Sequence, residues 1–265
     1  MLGFLFFLGI CFFIVASYLI GSIPFGYLLA KAAHVNVMNT GSKSIGATNV
    51  TRATNGKLGI LTLLLDFIKG YFAVVFSVLI FHLLVQYNPT YFSHLFSIAY
   101  ISCFFVVLGH CFSIYIKFKG GKGISTGAGV LLAVSPIIFL VATIAIAVVF
   151  ISFKIVSLGS LIAAGASGMV CYIPWFNYYY LQLINASYPY FSNIYALSTV
   201  TYFNVLGTSI ILMCMVILII IKHKENIKRL IDKKERIFQV GKDDKNQQDF
   251  VKSKKHEQVK ASNKI

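Results

Sequence analysis

Long apolar runs alternate with short polar stretches along this chain, and several of the runs reach the roughly 20 residues that carry a helix across a bilayer. They can be drawn at residues 2–30, 58–86, 94–116, 124–134, 136–152, 156–175 and 195–221. Only Ser135-Pro136 separates the fourth run from the fifth. Pro136 lacks an amide hydrogen and disfavours helix at the residue before it, so one helix ends there and another begins. The fourth run is too short to span alone unless the bilayer thins or the helix sits inside the protein. The first run has no basic start and continues past the length of a signal-peptide core, so it reads as a retained helix. Within it, Gly21-Ser22-Ile23-Pro24-Phe25-Gly26 predicts a break or kink with close helix packing. The pattern predicts an all-α, polytopic transmembrane bundle of about seven helices over residues 1–236. A basic tail over 237–265 should be disordered or held on anionic lipid.

Composition agrees with this class. The chain of 265 residues is 58% hydrophobic and 12% charged, against roughly 25% charged in soluble domains, and mean hydropathy is +0.80. The charge pattern sharpens the picture. Residues 1–221 hold nine Lys/Arg and one acidic residue, Asp66, whereas residues 222–265 hold fourteen Lys/Arg and seven Asp/Glu. Catalysis by a carboxylate pair is therefore excluded from the apolar body. The basic loops Lys31–Lys57 and Lys117–Gly123, the turn at Lys154 and the tail should lie on one side. Gln86–Ser93 and Pro174–Ile194, uncharged and aromatic, should lie on the other. Basic loops face the cytoplasm, which puts the N-terminus outside and the C-terminus inside.

Three polar motifs then share the cytoplasmic face. In Gly41–Arg52, small residues including Gly46 let backbone amides turn towards an oxyanion. Ser42, Thr48 and Asn49 add donors there, and Arg52 can grip a phosphate bidentately. An ordinary polar loop with a helix N-cap at Thr48 or Asn49 fits the same residues. In Lys119-Gly120-Gly121-Lys122-Gly123, followed by Ser125-Thr126, glycines permit close approach to a ligand and Lys122 supplies a point charge. The Ser or Thr that must follow the lysine of a Walker A loop is absent, and a plain basic turn is the competing reading. In Lys222–Leu230, His223 and Asn226 recur at helical spacing with Arg229, as in an active-site helix or a headgroup anchor. His110 fits either an assisting role beside the second motif or the cap of a helix end. Asp66 and Lys69, three apart on one helix, form a natural inward-facing ion pair or touch substrate. His34, His82, His94 and His256 read as background.

Together these segments resemble the PlsY family of bacterial acyl-phosphate:glycerol-3-phosphate acyltransferases. The resemblance is carried by Gly21–Gly26, Gly41-Ser42 with Gly46–Asn49 and Arg52, and Leu65-Asp66 with Lys69-Gly70. Gly109-His110 with Phe118 and Gly120–Gly123, and His223 with Asn226-Ile227, Arg229-Leu230 and Glu235, complete it. Departures are Met38 where arginine is common, Lys43-Ser44 for Gly-Asn, Ser113 for proline and Lys222 for arginine.

The resemblance implies an enzyme of the bacterial cell membrane that moves an acyl group from acyl-phosphate to the first hydroxyl of glycerol 3-phosphate. Lysophosphatidate and inorganic phosphate would be the products. It implies catalytic roles for Ser42, Arg52, Lys122, His223 and Asn226. Phosphate binding would fall to Gly46, Thr48, Asn49, Lys119, Gly120, Gly121, Gly123 and Thr126, with support from His110, Asp66, Lys69, Arg229 and Glu235. The proton acceptor would be a substrate phosphate oxygen or His223. No cofactor, metal or nucleic acid is implied; membrane lipid is the surroundings, and an acyl-phosphate-producing enzyme on the cytoplasmic side is a candidate partner.

Two rival classes fit less well. Acyltransferases with a His-x4-Asp dyad are excluded, because none of the six histidines has an aspartate five positions on. A transporter or channel for a phosphate-containing anion should show inverted repeats and broken helices at the midplane, and no repeat is visible here. The five cysteines lack metal or disulfide spacing and read as small buried hydrophobes.

Overall fold

The computed structural model describes residues 2–87, 98–171 and 202–238, and every regular element among them is helical. The first apolar run forms α1 (Leu2–Ser22) and α2 (Phe25–Ala32), interrupted at Ile23-Pro24 as the sequence predicts. Backbone carbonyls left over at the break find donors elsewhere in the fold. The Ser113 hydroxyl donates to Ser22 O, and Lys69 Nζ donates to Ile23 O at 2.9 Å. The polar linker holds a short helix that the apolar pattern did not signal, α3 (Ala47–Ala53), before α4 (Gly56–Tyr87). Then come α5 (Ile101–Cys111), α6 (Ile124–Val134), α7 (Pro136–Phe153) and α8 (Val156–Cys171). Last are α9 (Tyr202–Lys222) and α10 (Lys224–Ile231).

α4 shows how the sequence assigns its faces. Leu61, Leu64, Ile68, Phe72, Phe76, Leu79 and Leu83 recur at helical spacing and are exposed. Thr62, Asp66, Lys69, Ala73, Ser77 and Phe81 are buried. Large apolar side chains facing out while the polar ones face in is the inverse of a soluble helix, as a lipid-facing helix requires. Helix contacts are correspondingly close. A Cβ on Gly70 would overlap Thr126 O, and one on Gly129 would overlap Phe67 O, so α4 and α6 meet backbone to backbone.

Four helices among the described residues are long and apolar enough to span a membrane: 7–32, 56–81, 98–116 and 136–153. A fifth is added if α9 and α10, bent by 56°, count as one. The expectation of about seven spans therefore meets four or five helices of spanning length. The shortfall is α6 and α8. α6 has eleven residues, about 16 Å of rise, and its side chains are mostly buried within the bundle. Ser135 caps α7 through its hydroxyl oxygen, which accepts from Ile138 N, with Pro136 in the first turn. The uncharged aromatic stretches 86–93 and 174–194, His94, His256 and the tail past 238 lie wholly or largely outside the described residues.

Candidate active site

The first motif is organised by a buried amide. Asn49, 2% exposed, accepts from Ser42 N at 2.9 Å and donates to Ser44 O at 2.8 Å and to Val37 O and Thr40 O at 3.1 Å. Gly41 has φ +56°, and a side chain there would also run into the Asn49 amide. Neither Thr48 nor Asn49 caps α3; Gly46 does, without a side-chain bond. The Asn49 amide is committed to the loop backbone, so its influence on a bound anion is indirect. Ser42 is exposed, while Gly46, Thr48 and Arg52 are half-buried, with Arg52 in the last turn of α3.

The second motif folds back over α5. Gly121 N donates to His110 O at 3.0 Å, and a Cβ on Gly121 would overlap the His110 ring. Gly120 is wedged just as tightly against His110 O. Gly123, at φ +86°, is the residue before α6 and lies where only glycine is comfortable. This turn sends Lys122 across to the third motif. Lys122 Nζ donates to Asn226 Oδ1 at 2.6 Å, joining residues 104 apart in sequence. Lys119, by contrast, is exposed, and Thr126 is fully buried in the contact with α4.

From Asn226 the polar chain continues. Asn226 Nδ2 donates to Glu235 Oε1 at 2.9 Å, and Arg229 Nε donates to Glu235 Oε2 at 2.8 Å. These bonds fix which way the Asn226 amide points. His223, buried between α9 and α10, lies 2.8 Å from Ile219 O through Nδ1. A carbonyl only accepts, so Nδ1 carries the hydrogen and Nε2 is the nitrogen able to take a proton. Lys222, which replaces the more usual arginine, donates to Cys111 O at 3.0 Å and stands 4.4 Å from the centre of the Phe112 ring.

Electrostatically the group is unbalanced. Lys122 feels the positive charges of Arg229, Arg52 and Lys222 and one negative charge, Glu235. Partial burial, with those three cations, holds the Lys122 ammonium down at about 8 despite the pull of Glu235. Four cations against one carboxylate is an arrangement suited to an anion.

A second polar cluster lies beneath, inside the bundle. Asp66 Oδ1 is 2.7 Å from Lys69 Nζ and 3.5 Å from His110 Nδ1, and all three residues are buried. The pairing of Asp66 with Lys69 was visible in the sequence; the approach of His110 from α5 was not. Arg236 and Phe238 also carry contacts that no motif signalled: Arg236 Nη1 approaches Gly41, and Phe238 packs beside α7.

Residues 11–233 match a protein family described as glycerol-3-phosphate acyltransferase. The chain is 35% identical over 232 residues to the glycerol-3-phosphate acyltransferase of Mycoplasma pneumoniae, covering 85% of this chain and 93% of that one. It is likewise 35% identical over 227 residues to that of Aquifex aeolicus, covering 86% and 98%. Its structure is similar to the crystal structure of PlsY (YgiH), an integral membrane glycerol 3-phosphate acyltransferase, in its glycerol 3-phosphate form. That match has a TM-score of 0.62 and 32% identity, over 87% of this chain and 96% of that one. The lysophosphatidic acid form of the same enzyme matches with a TM-score of 0.59.

Proposed function

We propose, from the premise that this chain belongs to the PlsY-type family of integral-membrane glycerol-3-phosphate acyltransferases, how its own residues divide the work. The acyl donor is an acyl-phosphate and the acceptor is the first hydroxyl of glycerol 3-phosphate, so both substrates bring a phosphate. Each phosphate carries about −1.5 to −2 at neutral pH. A cluster of Arg52, Lys122, Lys222 and Arg229 around one carboxylate is matched to that charge.

The acceptor oxygen attacks the acyl carbonyl carbon, the bond from that carbon to the bridging phosphate oxygen breaks, and inorganic phosphate leaves with the electron pair. Lysophosphatidate is the other product. The hydroxyl proton passes to a phosphate oxygen or to Nε2 of His223. A mixed anhydride already has a good leaving group, so the protein's task is alignment and charge stabilisation. Lys122 and Arg52 neutralise the departing phosphate, with Ser42, Gly46, Thr48 and the glycines 120, 121 and 123 as its cradle. Asn226, oriented by Glu235, and His223 place the acceptor. Asn49, Lys119, Thr126, Asp66, Lys69 and His110 support these loops.

The site lies at the cytoplasmic boundary of a helical membrane body whose N-terminus is outside. The alternation of basic and uncharged aromatic loops supports that orientation.

The observation that carries the proposal is the bond from Lys122 to Asn226, which brings the second and third motifs to one point. The test is phosphate release by the purified protein given palmitoyl phosphate and glycerol 3-phosphate without any thioester. Release that depends on both substrates is the expected result. Absence of release under these conditions, with turnover restored by an acyl-thioester, would remove the acyl-phosphate assignment.

A further inference from the structure

Past α10 the chain doubles back and crosses the polar face as a strap. Lys234 N donates to Arg229 O at 2.8 Å and Lys233 N to Leu230 O at 3.1 Å, closing the end of α10, with Lys233 at φ +54° making the turn. Within the next five residues the strap is fastened to separate parts of the fold. Glu235 binds back to Asn226 and Arg229. Arg236 Nη1 comes within 3.7 Å of where a side chain on Gly41 would begin, beside the first motif. At the far end Phe238 N donates to Lys154 O at 2.8 Å, and its ring meets that of Phe150 edge to face, 5.7 Å between centres at 65°. Phe150 and Lys154 lie at the end of α7, remote in sequence from all three motifs.

The logic is mechanical. Arg236 and Ile237 are exposed, so the strap has little core of its own to hold it down. Glu235 is the group that turns the Asn226 amide oxygen towards Lys122. Its own position depends on a short segment tied at one end by α10 and at the other by Phe238.

We propose that Phe238 is a positioning residue for the acceptor substrate. By latching the strap to the α7–α8 turn it keeps Glu235 on Asn226 and Arg229 and so presets the groups that meet glycerol 3-phosphate. The inference rests on the reading of Asn226 as an acceptor-placing residue. It concerns a residue outside the family match, which ends at 233.

The test uses the full chain, with initial rates against glycerol 3-phosphate at saturating palmitoyl phosphate. Phe238→Ala should raise the KM for glycerol 3-phosphate about three- to ten-fold, the range that loss of one aromatic pair allows. Its kcat and its KM for palmitoyl phosphate should change less than the KM for glycerol 3-phosphate, since Lys122 and Arg52 keep their charges when Asn226 loses its fixed orientation. Phe150→Ala should reproduce the effect and Phe238→Tyr should reverse it. Trypsin should cut faster at Lys233, Lys234 or Arg236 in Phe238→Ala than in the parent protein.

Unchanged KM and unchanged cleavage would overturn the proposal. So would equal damage to both KM values and to kcat, because that is general structural loss. Should Phe238→Ala fail to fold, Phe238→Leu gives the same reading. Asn226→Ala run alongside separates the two claims: if it is impaired while Phe238→Ala is normal, only the latch is wrong. If Asn226→Ala is itself normal, the assignment of Asn226 falls.

Discussion

The two polar clusters of this protein differ in one respect that decides what each can do. Asp66, Lys69 and His110 are sealed inside the bundle, and there one carboxylate meets one ammonium and an imidazole. Lys122, Asn226, Glu235 and Arg229 sit at the end of the bundle, partly open, with cations in excess. The first cluster pairs its carboxylate with an ammonium and joins α4 to α5 and, through Ile23 O, to the break in α1. The second keeps an excess of positive charge, which in the proposed reading fits it to a phosphate. What separates the two clusters is therefore charge balance as much as burial.

Substitutions that strike the two clusters separately should therefore fail in different ways. The largest effect is expected for Lys122→Ala. Removing a preorganised donor to developing negative charge should lower kcat by about 10²–10³-fold, measured as phosphate release. The thermal midpoint in detergent should not fall, because a desolvated cation repelled by its neighbours is being removed. Asp66→Asn should do the reverse. Leaving Lys69 without its counter-charge should cost about 3–5 kcal/mol of stability, seen as a lower midpoint and reduced folded yield. Replacing both partners, Asp66→Leu with Lys69→Met, should recover much of that loss. If it does not, the inner cluster is more than a pairing device.

An intermediate effect is expected from pH. The Lys122 ammonium titrates at about 8 when no substrate is bound, so its charge is present below that pH and lost above it. The rate constant kcat/KM for glycerol 3-phosphate should fall as pH rises past about 8. Lys122→Arg, which stays charged, should move that alkaline limb upward even if its overall rate is lower. The smallest effect is expected at Lys119. It is exposed, so Lys119→Ala should change kcat/KM by less than about two-fold.

Much of this architecture was legible in the sequence because it rests on local rules. Pro24 and Pro136 mark helix breaks by their missing amide hydrogens, and both breaks are present. The spacing of Asp66 and Lys69 puts them on one helical face, and they pair. What stayed hidden depends on which helices meet. Asn49 reads as an anion donor from composition, yet its amide is spent on four backbone groups of its own loop. His110 gave no sign of reaching Asp66, since they are on different helices. A helix start at Thr48 or Asn49 is one reading of the linker, but α3 is capped by Gly46, and a seven-residue polar helix carries no apolar period to mark its extent. Phe238 lies two residues past the expected end of the body, in a stretch whose charge reads as a solvated tail. Its contact with Phe150 is set by the path of the strap rather than by any motif.

The claim on which the rest depends is that the outer cluster, and not the inner one, awaits an anion. Equilibrium binding of glycerol 3-phosphate to the purified protein, without acyl donor, tests it most directly. The parent protein should bind, with affinity falling as salt rises; folded Lys122→Ala should bind at least ten-fold more weakly, about 1.4 kcal/mol. The doubly substituted Asp66→Leu, Lys69→Met protein should bind like the parent. Undiminished binding by Lys122→Ala, with binding lost on neutralising the inner pair, would contradict the account.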